Sequence, residues 1–164
     1  GYKEAPGTFV IRYPRGKGEM KDWRNEMKVL PIGKGQLLNE GDDIAVLSIG
    51  PIGNEVIKAI SEVAGEGISV AHYDMIYLKP IDEELLHEVG RKFTRVITIE
   101  NGVVKGGLGS AVLEFMADNG YTPRVKRIGI PDSFIEHGSI PELYELCGLN
   151  AGSIAEEIRK MMND

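Results

Sequence analysis

The sequence is poor in cysteine: its 164 residues include only Cys147. One cysteine cannot form an internal disulfide, and a lack of disulfides is typical of cytoplasmic proteins, so we expect a cytoplasmic location. No apolar run approaches the roughly 20 residues that a membrane-spanning helix needs. The first residues, GYKEAPG, also lack the apolar core of a signal peptide. We therefore expect no membrane partner.

Basic residues are outnumbered, with 19 Lys and Arg against 25 Asp and Glu and a formal net charge of -6. This balance excludes a general nucleic-acid binder, because an acidic surface repels phosphate backbones. The three histidines, His72, His87 and His137, do not have the spacing of metal ligands, so no metal site is predicted. We expect His72 inside a strand, His87 on a solvent-facing helix surface and His137 in a loop with a local hydrogen bond.

The chain does not begin with methionine, and we expect it to be a piece of a longer protein. Residues 16–28 are polar, contain glycine and show no periodicity, which is typical of a linker. We interpret 1–28 as a junction with a preceding domain and 29–164 as one domain, a size that allows a single large core.

Short apolar segments rich in β-branched residues predict buried strands at 44–49, 68–74, 95–100 and 125–130. Helices are predicted between them at 54–64, 82–92 and 109–118, and two more at 141–147 and 151–162. This alternation predicts an α/β fold with three αβα layers and a mostly parallel sheet of about five strands. Segment 35–40 should form a hairpin with strand 44–49, which gives one antiparallel edge strand.

The helical spacing of apolar residues predicts which side chains face the core. Asp82 should cap the second helix. Cys147 lies near a helix end and should be a small core residue. The inward residues should be Val56, Ile57, Ile60 and Val63 in the first helix, Val112, Leu113 and Met116 in the third, and Ile154, Ile158 and Met161 in the last.

A glycine-rich turn, Gly106-Gly107-Leu108-Gly109-Ser110, connects a predicted strand to a helix. Its backbone N–H groups, around Gly107 and Gly109, would suit an anion, but the turn lacks both the dinucleotide fingerprint and the P-loop lysine. A close-packed turn would use the same residues. Glu100 ends the preceding strand, where it would serve as a base, bind a partner or cap the turn. A single glutamate without a matched partner is weak evidence for catalysis, and no Ser/His/Asp arrangement is evident.

The segment VIRYPRGKG, residues 10–18, holds Arg15 directly after a proline. The planar guanidinium group of arginine suits a phosphate or a carboxylate, and Gly16 and Gly18 would let a ligand approach the backbone. A surface arginine beside a loop is the alternative that these residues leave open.

Several sequence blocks, in order, resemble the carboxyl-terminal region of the thiamine-diphosphate-dependent transketolase family: VIRYPRG, PIGKGQLLNEGDDIAVLSIG, DMIYLKPIDEELL, VITIENGVVKGGLGSAVLEFM, GIPDSFIEHGS and ELCGLNAGSIAEEIRKM. The combination of YPRG, GKG and PDSFIEHG indicates the branch that joins pyruvate to glyceraldehyde 3-phosphate and releases CO₂. The resemblance implies that Arg15 binds the phosphate of the sugar-phosphate substrate, with Tyr13 and Pro14 directing it.

The resemblance also implies which parts are missing. The family's Gly-Asp-Gly motif for metal and diphosphate is absent from this sequence, as is the glutamate that activates the cofactor. Thiamine diphosphate and Mg²⁺ would therefore bind the amino-terminal and central domains of a full-length homodimer, and this chain alone should not be catalytically competent. An apolar patch should be exposed where those domains pack. Two alternatives remain: the separate subunit of a split transketolase-like enzyme, and a stand-alone regulatory module that binds a small anion.

Overall fold

The computed structural model describes residues 7, 8, 10, 13 and 29–163. The predicted linker at 16–28 lies outside them. From residue 29 onward, strands and helices alternate along the chain. They are β1 (Gln36–Asn39), β2 (Ile44–Ile49), α1 (Gly53–Ala64), β3 (Val70–Asp74), α2 (Glu83–Lys92), β4 (Arg95–Val103), α3 (Leu108–Asp118), β5 (Arg124–Ile130), α4 (Ile140–Leu146) and α5 (Ala151–Asn163).

The five strands form one sheet in the order β1-β3-β2-β4-β5. Strands β2 to β5 are parallel, and β1 pairs antiparallel with β3 at one edge. The predicted fold class, a three-layer α/β arrangement with one antiparallel edge strand, is thus confirmed. The strand boundaries differ slightly from the prediction, since β3 begins two residues later and β4 runs three residues further.

Alternate residues of β2 supply the two halves of the core, as the two-residue period of a strand requires. Ile44 and Val46 pack with α1 and α5 on one face of the sheet, and Ala45 and Leu47 pack with α2 and α3 on the other. Because both faces are covered, the central strand is apolar along most of its length. In the described part of the chain no helix has the length and apolar character needed to cross a bilayer.

The predicted hairpin between β1 and β2 is wrong, because β3 lies between them. After β1 the chain passes beneath the start of β3 before it enters β2. At Gly41 it runs so close to the backbone of Val70 and Ala71 that a Cβ atom there would overlap them. A glycine at this position therefore allows the crossing, whereas a two-strand hairpin would not need it.

Two of the predicted inward side chains are also placed differently. Ile57 is 49% exposed and Leu113 is 37% exposed, while the fully buried positions of their helices are Gly53, Val56, Ala59 and Val63 in α1 and Leu108, Gly109, Val112 and Met116 in α3. Small residues let these helices lie close to the sheet, and the buried stripe is narrower than the apolar pattern suggests.

The predictions for the cap of α2, for the inward face of α5 and for Cys147 are confirmed. Asp82 caps α2, because its carboxylate accepts a hydrogen bond from the Leu85 N–H at 3.1 Å. Ile154, Ile158 and Met161 of α5 are buried against α1 and the sheet. Cys147, at the end of α4, is half-buried against the same part of the core.

Candidate functional site at the carboxyl edge of the sheet

The strands β2 and β4 lie side by side, but the helices that follow them lie on opposite faces of the sheet. Helix α1 follows β2 on one face, and α3 follows β4 on the other. In open α/β sheets such a point leaves a crevice at the carboxyl ends of the strands, where ligands usually bind. Ile49 of β2 pairs with Glu100 of β4 at this edge, so Glu100 lies at the crevice.

The Glu100 carboxylate points at the amino end of α3. It is only 6% exposed and accepts hydrogen bonds from the Leu108 N–H at 3.0 Å and the Gly109 N–H at 3.1 Å. A helix begins with N–H groups that have no partner within the helix and that carry a partial positive charge, so a carboxylate there is stabilising. A Cβ atom on Gly107 would overlap this carboxylate, which accounts for the glycine.

Glu100 thus occupies the position that an external anion would take at the turn. Of the three roles that the sequence left open for this residue, the geometry is that of a cap. The close-packed interpretation of the turn also fits Gly109, since a Cβ atom there would lie 2.7 Å from both Thr98 Oγ1 and the Arg127 side chain. A ligand-binding role for Glu100, Gly107 or Gly109 stays a prediction.

Polar contacts around the turn fix its shape. The Ser110 hydroxyl accepts a hydrogen bond from the Gly106 N–H at 2.9 Å and another from Arg127 Nη1 at 3.1 Å. Arg127 Nη1 also lies 3.3 Å from the Val104 carbonyl oxygen. Gly106 itself has a φ of 75°, a backbone conformation that favours glycine. The turn is therefore held by Ser110 and by Arg127, which reaches it from β5.

A buried polar pair, which the sequence analysis did not identify, lies beneath the start of α1. Ser48 Oγ and His72 Nε2 are 2.8 Å apart, and both residues are fully buried. Burial lowers the pKa of His72 to about 4, because a charged imidazole would lose its hydration, so the ring is neutral at pH 7. His72 Nδ1 has no hydrogen-bond partner among the described residues. The one signal in the sequence is Ser48 itself, a polar residue within the apolar strand segment IAVLSI.

The other predicted site residues are Arg15, Pro14, Tyr13 and His137. Arg15 and Pro14 lie outside the described residues, and Tyr13 is 81% exposed. His137 is exposed in the loop before α4, as the sequence predicted for its position.

The prediction that His87 faces solvent is wrong. Its ring is half-buried, with Nδ1 3.0 Å from the Tyr121 hydroxyl and the ring edge-on to Phe115. His87 is covered because α3 and the segment after it pack against α2. The apolar pattern of a single helix does not reveal such a contact.

The described residues do not fit thiamine diphosphate with its metal ion. Within 29–163 and the few described positions before them, no group of three or more His, Cys, Asp or Glu side chains could hold a metal. At the glycine-rich turn, the amino terminus of α3 is filled by Glu100. A diphosphate there would meet a carboxylate of the same charge.

Comparison with known proteins gives consistent matches. The model of the family described as "Transketolase, C-terminal domain" matches residues 33–154. A relative from Parabacteroides distasonis, named 1-deoxy-D-xylulose-5-phosphate synthase, is 77% identical over 160 residues, which are 98% of this chain and 25% of the relative. A relative of the same name from Bacteroides thetaiotaomicron is 58% identical over 155 residues, or 94% of this chain and 24% of the relative.

A solved structure, titled "Split gene transketolase, inactive beta4 tetramer", has a TM-score of 0.73 and 35% sequence identity. The match covers 82% of this chain and 43% of that one. The chain spans about a quarter of the length of the curated relatives it matches.

Proposed function

The chain belongs to the transketolase C-terminal domain family, and on that premise we propose that it is the carboxyl-terminal domain of a 1-deoxy-D-xylulose-5-phosphate synthase. The observation that carries the proposal is the 77% identity, along 98% of this chain, to a relative of that name. In this proposal residues 29–164 form the domain and residues 1–28 form the junction with the domain before it. The family match begins at residue 33, close to that boundary.

The full-length enzyme would join pyruvate to glyceraldehyde 3-phosphate, giving 1-deoxy-D-xylulose 5-phosphate and CO₂, a step toward isoprenoid precursors and thiamine. Thiamine diphosphate, held with Mg²⁺ by the amino-terminal and central domains, would supply the stabilised carbanion. This domain would support the fold and the homodimer and would add one contact to the substrate. The substrates are small metabolites, and a cytoplasmic location suits them.

Arg15 is the residue proposed to make that contact, by binding the phosphate of glyceraldehyde 3-phosphate. A guanidinium group can form two parallel hydrogen bonds to a phosphate and so orient the aldehyde for attack. Tyr13 and Pro14 precede it directly and would set its direction. This role of Arg15 is supported by the match of YPRG to the family motif. Arg15 would position the substrate through its phosphate, a group remote from the reacting aldehyde.

A chimeric enzyme tests the proposal directly. Residues 1–164 replace the matching last quarter of the Parabacteroides distasonis relative, and product formation is measured with both substrates. We expect the chimera to be active and the isolated chain to be inactive. A folded, cofactor-loaded chimera without synthase activity would overturn the proposed function.

In the same chimera, Arg15→Ala should raise the KM for glyceraldehyde 3-phosphate and leave the KM for pyruvate unchanged. Loss of one charge-assisted bidentate contact costs about 2–3 kcal/mol, which corresponds to a KM increase of roughly 30- to 150-fold. Arg91→Ala, an exposed arginine of α2, is the matched control and should leave both constants unchanged. An unaltered KM for the aldehyde in Arg15→Ala would exclude the phosphate contact.

A second candidate function is that of a separate subunit in a split enzyme. Its support is the likeness to a split-gene transketolase at 35% identity, but the match along nearly the whole chain to much longer relatives favours the first proposal. As a subunit of a split enzyme, this chain would bind a partner chain that carries the remaining domains. The stand-alone anion-binding module is less favoured, because Glu100 fills the position at the turn that an anion would use.

A further inference from the structure

Three neighbouring segments at the carboxyl edge form one surface, which we call the β4–β5 surface. The segment after β4 and the end of β5 are joined by a hydrogen bond from the Val104 N–H to the Ile130 carbonyl oxygen at 2.9 Å. Lys105 and Asp132 form an ion pair at 3.3 Å between the segment after β4 and the loop after β5. Asn101 Nδ2 lies 3.3 Å from the Tyr144 hydroxyl, which brings α4 to the same place.

The β4–β5 surface exposes large apolar side chains that the other described residues do not cover. Phe134 is fully exposed, and Val103 and Ile140 are each 45% exposed. Leaving such groups in water is unfavourable, and apolar side chains grouped in this way mark contact surfaces. Helix α4 has only seven residues, none of them fully buried, so the described part of the chain supplies only part of its packing.

We propose that the β4–β5 surface packs against the preceding domains of the same enzyme. This inference rests on the proposed function, since it takes the chain to be the last part of a synthase. The named relatives are about four times as long as this chain, so about three quarters of such an enzyme would lie outside it. The β4–β5 surface lies at the crevice edge of this last domain, and we infer that the preceding domains dock there.

The ion pair that joins two segments of the surface is compatible with burial. Lys105 and Asp132 neutralise each other within it, so docking would not leave either of these two charges without a partner. An apolar centre in which charges are paired is typical of a permanent interface between domains. Phe134 would be its central anchor, because aromatic residues at the centre of an interface contribute most of its affinity.

Side-chain oxidation by hydroxyl radicals measures the exposure of Phe134 directly. The isolated chain and the chimera are oxidised under the same conditions, and the modified peptides are quantified by mass spectrometry. We expect oxidation of Phe134 to be about tenfold slower in the chimera, because an interface core excludes water. Equal rates in the two proteins would overturn the proposal.

A second copy of this chain is the competing occupant, and the same measurement tests it. If oxidation of Phe134 in the isolated chain slows as its concentration rises, while its sedimentation shows a dimer, the surface is a contact between copies and the proposal is wrong. The proposed function is judged separately, by synthase activity. If the chimera is active but Phe134 is still oxidised at the rate of the isolated chain, the docking proposal is wrong and the proposed function stands. If Phe134 is protected but the folded, cofactor-loaded chimera is inactive, the proposed function is wrong and the docking proposal stands.

A pair of variants adds an energetic test in the chimera. Phe134→Ser should make thermal inactivation about tenfold faster, because the interface loses its anchor. Leu38→Ser, at a 45% exposed position on the opposite edge strand β1, is the control and should leave the rate unchanged. In the isolated chain Phe134→Ser should not change the unfolding midpoint, since Phe134 is fully exposed there. Equal effects of the two variants in the chimera would contradict the proposal.

Discussion

Replacing His72 with glutamine should change how the stability of this fold depends on pH. His72 is fully buried beside Ser48, and burial lowers the pKa of its imidazole to about 4. In the unfolded chain the same group should have a pKa of about 6.5. Glutamine is neutral at every pH of interest, and its amide can keep a hydrogen bond to the Ser48 hydroxyl.

The direction follows from proton binding. Between pH 6.5 and pH 4 the unfolded chain binds a proton at His72 that the folded chain does not, so acid favours unfolding in this window. The two pKa values predict a loss of about 2 kcal/mol by pH 5 and about 3 kcal/mol by pH 4, relative to pH 7. Carboxylates whose folded pKa is lowered add their own acid sensitivity mainly below about pH 4.5, and they are common to both proteins.

Urea unfolding of the wild-type chain and of His72→Gln, at intervals from pH 7.5 to pH 4, measures the difference. The free energy of unfolding should fall more steeply with acid in the wild type, and the difference between the two proteins should change by about 3 kcal/mol across the range. The absolute stability of the variant at pH 7 does not enter, because only the change with pH is compared. Parallel curves would refute the placement of a neutral, buried histidine.

Two further substitutions test the caps of the helices. Glu100→Ala should lower the free energy of unfolding by about 2–3 kcal/mol in urea titrations, because two N–H groups of α3 lose a charged partner, and Glu100→Gln should recover part of it. An unchanged midpoint for Glu100→Ala would rule out the cap. Asp82→Ala should cost about 1–2 kcal/mol in the same assay, since its carboxylate accepts from the N–H groups of Leu85 and Gly35. A loss equal to that of an exposed control such as Glu83→Ala would show that Asp82 is not a cap.

The sequence was sufficient for the parallel part of the sheet and for the helices. Strands such as 44–49 are continuous apolar runs, because both faces of a covered parallel sheet are buried, and that pattern is local. The cap at Asp82 is equally local, since it involves neighbours three residues apart.

The partner of β1 could not be predicted from local pattern. A short strand followed by a glycine-containing turn and another strand favours a hairpin, but β3 follows about 30 residues later and takes the place between them. Gly41, where the chain runs close to β3, is the only trace of this crossing in the sequence. Glycine is common in turns of every kind, so its presence there does not distinguish a crossing from a hairpin.

The candidate functional site could likewise be predicted only in part, because its contacts depend on the arrangement of the strands and helices. Glu100 and the glycine-rich turn were recognised, but their roles depended on where the carboxylate points. The pair of Ser48 and His72 joins two strands whose contact is set by the sheet order, so neither residue alone predicted it. His87 was misplaced for a similar reason, because the groups that cover it belong to another helix and its following segment.

The antiparallel pairing of β1 has a mechanical consequence. Strand β1 lies at the edge of the sheet, where it pairs with β3, and its four side chains are exposed. Its first residue, Gln36, pairs with Asp74, the last residue of β3, so tension on the chain before β1 would open the hydrogen bonds one after another from that end. Such unzipping needs far less force than sliding two strands past each other, where all the bonds break together. The edge strand would therefore yield before the four parallel strands that carry both halves of the core.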